Sequence, residues 1–215
     1  MTPPSRTNLI CDTNQLAWAE TAAGIESKEV AEGRSLDHFR TQVLRLAPGA
    51  SPPPVPDEHG MELVVLEGAL LLAGSSLRKG AYARRPKEHP EGLHTEEGCT
   101  LYVKTGVFAR GDVQVVTLDE AQLPWSPGHG NLGVKSLHSF EGRGTALVHW
   151  PPGERFLPHQ HWGGEEIMVL SGIFLDEHGR YPAGTWIQSP HLSQHHPYVI
   201  EETVILVKTG HLPMG

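Results

Sequence analysis

The chain has 215 residues, enough for one large or two small domains with a real core. Its formal net charge is −8, and its charged residues (20%) are mixed in sign, which argues against a nucleic-acid phosphate binder, an anionic membrane surface and extended disorder. Abundant glycine (24) and proline (18) favour many turns over long helices, and fourteen histidines raise the expectation of a metal site.

The N-terminal stretch MTPPSRTNLICDTNQ has no apolar signal core. No apolar run approaches the roughly 18 residues of a membrane span. A soluble, reducing, cytoplasmic setting is the expectation. Ser27–Phe39 reads either as a short helix or as an irregular extension. Beyond it come short apolar runs, LVVLEG (Leu63–Gly68) and LYVKTG (Leu101–Gly106), with AGSSLRKG between them as a hairpin connection. Cys99 opens the second run and reads as a buried small residue; with Cys11 it forms neither a CxxC pair nor a disulfide framework.

The chain then repeats itself. IMVLSG (Ile167–Gly172) and ILVKTG (Ile205–Gly210) return the two runs at an offset of 104 residues, and the same gapless offset pairs Gly60 with Gly164, Glu62 with Glu166, Gly80 with Gly184 and Pro86 with Pro190. Glycines and prolines in register mark turns whose spacing the fold sets. Upstream, Trp18 and Lys28 correspond to Trp125 and Lys135 across an indel. Two homologous all-β domains are expected, 1–110 and 111–215. A helix for EEIMVL is excluded because Gly163-Gly164 and Ser171-Gly172 leave too few residues between them. The hairpin DEHGRYPAG follows it.

The second repeat places chemistry beside a buried strand. His159 and His161, at i and i+2, share one strand face. Gly163-Gly164 lets the chain turn, so that Glu165 can return to them, and His195 follows the Pro190 turn. Three imidazoles and one carboxylate suit Zn, Fe, Mn, Ni or Cu, and a dication offsets the cost of burying the carboxylate. Glu166 alternates to the other face and matches Glu62, as a structural hydrogen-bond or salt-bridge partner. His191 and His196 become alternatives to His195 if the register slips by one. His149, His178 and His211 read as exposed or locally bonded. Phe156, Trp162, Ile167, Trp186 and Tyr198 are pocket-lining candidates whose other fate is barrel core. In the first repeat the ligand positions hold Val55, Asp57, Met61 and Glu91, so its site is degenerate, and His59, His89 and His94 fall off those positions.

The spacing Gly153-x5-His159-x-His161-x3-Glu165-x6-Gly172 resembles the first motif of the cupin superfamily, and Gly184-x5-Pro190 with His195 resembles the second. Leu192 stands where that motif usually has Gly, and Val199 where it usually has Asn. The run HQHWGGEEIMVLSGIFLDEHGRYPAGTWIQSP followed by ILVKTG resembles the cupin domain of ChrR-like anti-sigma factors. The resemblance implies two tandem cupin (double-stranded β-helix, jelly-roll) barrels, a bicupin. It also implies one zinc ion on His159, His161, Glu165 and His195, and a regulatory role in sensing a small ligand or oxidant. No HxxxCxxC element occurs, so no sigma-factor-binding domain is expected in this chain. A homodimer is compatible with the pattern. The alternative is a dioxygenase of diketone- or flavonol-like substrates on Fe, Mn or Ni, since six-coordinate metals leave positions for substrate and dioxygen, whereas a closed four-ligand zinc site leaves none. No catalytic acid or base is evident beyond Tyr198, a weak candidate.

Overall fold

The computed structural model describes residues 7–32, 39–52, 60–86, 92–106 and 108–214. Among these there is no α-helix, only two single-turn 3-10 helices at Thr13–Gln15 and Glu120–Gln122. No helix is long and apolar enough to cross a membrane. Of the first-repeat positions named above, Val55, Asp57, His59, His89 and Glu91 lie outside the described residues.

Up to Leu118 the chain carries β1 (Leu9–Asp12), β2 (Ala19–Ala22), β3 (Ile25–Glu32), β4 (Arg40–Leu46), β5 (Met61–Leu72), β6 (Ser75–Arg78), β7 (Tyr82–Arg85), β8 (Cys99–Thr105) and β9 (Val116–Leu118). Beyond it come β10 (Ser126–Pro127), β11 (Gly133–Phe140), β12 (Arg143–Trp150), β13 (His159–Gln160), β14 (Glu165–Ser171), β15 (Ile173–Leu175), β16 (Arg180–Pro182), β17 (Thr185–Ser189), β18 (Gln194–His195) and β19 (Thr203–Thr209). They form two β-barrels.

In the first barrel the strand order is β2-β3-β4-β8-β5-β7-β9, with β6 paired to β5. Alternation decides which side chains go inside. Met61, Leu63 and Val65 of β5 join Leu101 and Val103 of β8 in the core, and Cys99 is buried among them. The described part of Ser27–Phe39 up to Glu32 is not helical: it belongs to β3, where Ile25 and Ser27 are buried on alternate positions and pair with Leu46 and Leu44 of β4. Residues 33–38 lie outside the described part.

The second barrel repeats the order as β10-β11-β12-β19-β14-β17-β1. The offset of 104 maps β8 onto β19 residue for residue, and Met61, the start of β5, onto Glu165, the start of β14. The bulge between Val65 and Glu67 recurs between Val169 and Ser171. Buried lysines do the same work in each: Lys104 donates to Thr41 Oγ1 at 2.7 Å and Lys208 to Thr145 Oγ1 at 3.1 Å. The looser upstream match holds as well. Lys28 sits 4.5 Å from the Trp18 ring centre and Lys135 sits 4.3 Å from that of Trp125.

By their contacts the residues group into two compact units. One comprises Leu16–Leu123; the other joins residues up to Gln15 to Pro124 onward. Strand β1 pairs antiparallel with β17, Leu9 opposite Gln188 and Cys11 opposite Trp186. Thr13 and Asn14 fasten the following turn to Gly184 and Ala183. This is the place that β9 takes beside β7 in the first barrel. An edge strand needs a partner for its backbone groups, and nothing local in the sequence says that the partner lies about 175 residues away.

Gly172 closes the bulge that ends β14 with φ of 72°, and a Cβ there would run into the carbonyl oxygen of Glu202. Gly172→Ala should therefore lower stability by roughly 2–4 kcal/mol, read from the urea midpoint. An unchanged midpoint would show that this close approach is not a constraint.

Candidate metal centre

The sequence around the site folds as it does because two glycines turn it back. Gly163 and Gly164 both have φ of 71°, the left-handed region, and a Cβ on Gly163 would meet the Gly210 backbone at 2.7 Å. The turn therefore packs against the chain leaving β19, with Gly210 N donating to Gly164 O and Leu212 N to Gly163 O. Before the turn, β13 pairs with β18 so that His159 stands directly opposite His195. That register selects His195. His191 instead accepts the Gly163 N–H at 2.9 Å, and the His196 backbone N–H donates to Glu177.

After the turn Glu165 begins β14 and faces inward. The donor atoms of His159, His161, Glu165 and His195 lie within 4.8 Å of one another, the one such cluster of three or more among the described residues. The imidazoles form a triangle with ring centres 4.6, 4.7 and 4.8 Å apart. Glu165 Oε2 lies 3.5 Å from His161 Nδ1 and 3.7 Å from His195 Nε2. Both distances are too long for good hydrogen bonds. Two donors about 2.1 Å from one tetrahedral ion stand about 3.4 Å apart, so this spacing fits a shared cation. Glu165 Oε2 is buried without a hydrogen-bond partner, and a bound dication would satisfy it.

Electrostatics match. Burial pushes the Glu165 carboxyl up to about 7, with His195 partly offsetting it. Burial, then the neighbouring His195 and His159, hold His161 down at about 3. His159 is also lowered, chiefly by burial. His159 and His161 are thus neutral donors near pH 7. His159 Nδ1 is 3.0 Å from the Leu157 carbonyl; donating its proton there leaves Nε2 free as a ligand atom.

One residue with a part in the site went unassigned in the sequence reading. Asp176 Oδ2 lies 3.6 Å from His195 Nδ1. Its Oδ1 accepts from the His178 and Gly179 N–H groups at 2.8 and 2.9 Å and from the Tyr181 hydroxyl at 2.9 Å. Burial opposes ionisation, but His195 and these donors outweigh it and hold the Asp176 carboxyl below its ordinary value. The hairpin between β15 and β16 thereby orients a histidine of the candidate donor set. The only signal was the aspartate of FLDEHGRYP, which read as turn chemistry.

Other expectations sort by strand parity. Phe156 and Ile167 line a cavity of about 250 Å³ beside the donors. Trp186, Trp162 and Tyr198 do not. Trp186 alternates with Ile187, which takes the core side of β17, and pairs instead with Met168 and Cys11. Trp162 is 70% exposed and packs on His191. Tyr198 lies under the Arg155 guanidinium, between the inward Pro197 and Val199. Glu166 accepts from Gln188 Nε2 at 2.8 Å. His211, expected to be exposed or bonded nearby, has a buried side chain 3.4 Å from Glu166. His149 is near Glu202, and His178 is half-exposed. In the first barrel Met61 replaces Glu165 and is buried in the core, while His94 bonds to Ser51. Leu192, at the usual glycine position, has φ of 63°, so the turn keeps glycine-like geometry despite the substitution.

A family model, the ChrR cupin-like domain, matches residues 6–109 and again 113–213. The chain belongs to this cupin family. No curated protein matches it. Among solved structures it resembles a protein assigned as a dioxygenase from Nostoc punctiforme (17% identity, TM-score 0.79, 98% of this chain and 85% of that one). It also resembles an oxalate decarboxylase from Lactobacillus farciminis in complex with formate (12%, 0.72, 97% and 88%) and the protein Ylba from E. coli (13%, 0.74, 98% and 93%). At these identities the likeness is one of fold.

Two outcomes follow from the geometry. Asp176→Asn should weaken metal affinity about 10–100-fold while leaving the metal-free fold intact, as read by chelator competition and melting. An unaltered affinity would remove Asp176 from the site. The second concerns pH. The Glu165 carboxyl, raised in the folded state, favours the fold below its unfolded value of 4.5, and this contribution is lost as pH rises through about 7. Metal-free Glu165→Gln should therefore be more stable than the metal-free parent at pH 8, by roughly 1–3 kcal/mol, with little difference at pH 4. His161, lowered, acts with the opposite sign and is common to both proteins. Urea unfolding in chelator at the two pH values checks this.

Proposed function

We propose that the chain is a metal-dependent small-molecule-binding bicupin. One divalent ion, zinc, is held by His159, His161, Glu165 and His195 of the second barrel, and the role is regulatory, in sensing a small ligand or oxidant. The observation that carries this reading is the cavity. His159, Glu165 and His195 form part of its lining, so a molecule entering it reaches the donor set directly. The ion would supply a Lewis-acid anchor for an oxygen of that molecule, taken as a fifth ligand, an expansion that zinc allows. In this reading the protein works in the cytoplasm, as a monomer or homodimer, without nucleic acid or membrane partners. No HxxxCxxC element accompanies the cupins in the 215 residues, so sigma-factor binding is not part of the proposal.

The same cavity favours a second reading, a dioxygenase of diketone- or flavonol-like substrates on iron, manganese or nickel. One of the similar structures is named a dioxygenase and another an oxalate decarboxylase, so the fold accommodates either kind of role. Elemental analysis of protein purified without an affinity column should find zinc, at one ion per chain. His159→Ala or His195→Ala should empty the site. Iron-loaded protein should take up no dioxygen in an oxygen electrode with acetylacetone or quercetin. Steady uptake that is lost in His161→Ala would assign the chain to the oxygenases instead.

A further inference from the structure

The cavity beside the donor set has a composition that selects its occupant. Away from His159, Glu165 and His195 its wall is apolar: Leu132, Val134, Val148, Trp150 and Phe156 contribute. His129 adds a polar ring against Phe156, with 4.8 Å between ring centres. Phe156 in turn stands 4.6 Å from the His159 ring, so the aromatic wall runs down to the donors. No lysine or arginine is among the described residues that line it.

Charge balance and size then bound the ligand. A divalent ion with the single carboxylate of Glu165 leaves one positive charge. One anionic head neutralises it; a second carboxylate would be left ionised against an apolar wall, at a cost that no counter-charge offsets. A cavity of about 150 Å³ admits benzene, so about 250 Å³ accommodates, in proportion, about ten non-hydrogen atoms. We infer that the cavity takes a neutral or monoanionic organic molecule with an oxygen-donor head at His159, Glu165 and His195 and an apolar, ring-sized body against Trp150 and Phe156. Small dianions of the oxalate type are rejected.

This inference rests on the proposed ligand-at-metal reading and sharpens it. Calorimetric titration of zinc-loaded protein with four probes tests it, metal content being measured in every sample. Benzohydroxamate and acetohydroxamate share a head and differ in body. Oxamate and oxalate are near-isosteric and differ by one charge. Benzohydroxamate should bind at least tenfold tighter than acetohydroxamate, and oxamate tighter than oxalate. Phe156→Ala should reduce the first ratio several-fold, and Val148→Lys should reverse the second preference. Equal hydroxamate affinities, or oxalate binding more tightly than oxamate in the parent protein, would overturn the ligand class while leaving the ligand-at-metal reading in place. Failure of all four probes with zinc retained, or failure of zinc to bind, would bring down both.

Discussion

Glu165 puts a carboxylate with an unbonded Oε2 at the base of an apolar cavity, and the rest of the second barrel's site is arranged around the cost of that burial. Alone it would keep a proton, which is the meaning of its upward displacement to about 7. His159 and His161, both lowered by burial, supply neutral donors near pH 7. A dication is the component that could turn these four groups into a stable set.

The donors come from rigid pieces. His159 and His195 face each other across a two-residue ladder, and the Gly163-Gly164 turn is pinned by the chain that leaves β19. His195 is held from behind by Asp176, whose remaining oxygen closes the hairpin between β15 and β16. One carboxylate thus serves a turn and a ligand together, which ties the hairpin's integrity to the donor set.

The two barrels separate frame from site. Their ladders, bulges, buried lysine–threonine bonds and lysine–tryptophan stacks recur, while the interior position of Glu165 is Met61 in the first barrel. Exchanging a carboxylate for a thioether at an inward position removes the need for a cation and leaves a core residue. The frame depends on the outer face and the turns, so the interior can change without altering it.

Much of this was legible in sequence, for definite physical reasons. Glycine and proline spacing records turn geometry, so the 104-residue offset determined two β barrels and their common strands. Strand parity and the double-glycine turn were enough to nominate His159, His161 and Glu165, and to choose Glu166 as the outward partner. The tertiary structure decided whatever depends on contacts distant along the chain. Strand β1 completes the second barrel because the edge of β17 lacks a partner, and no local pattern encodes that pairing. Trp186, Trp162 and Tyr198 fell outside the cavity, since the direction of an aromatic is set by register and by what packs behind it. Asp176 became a positioning residue because folding carries its hairpin to His195, nineteen residues away in sequence, and side-chain reach across that gap exists only once the strands have paired.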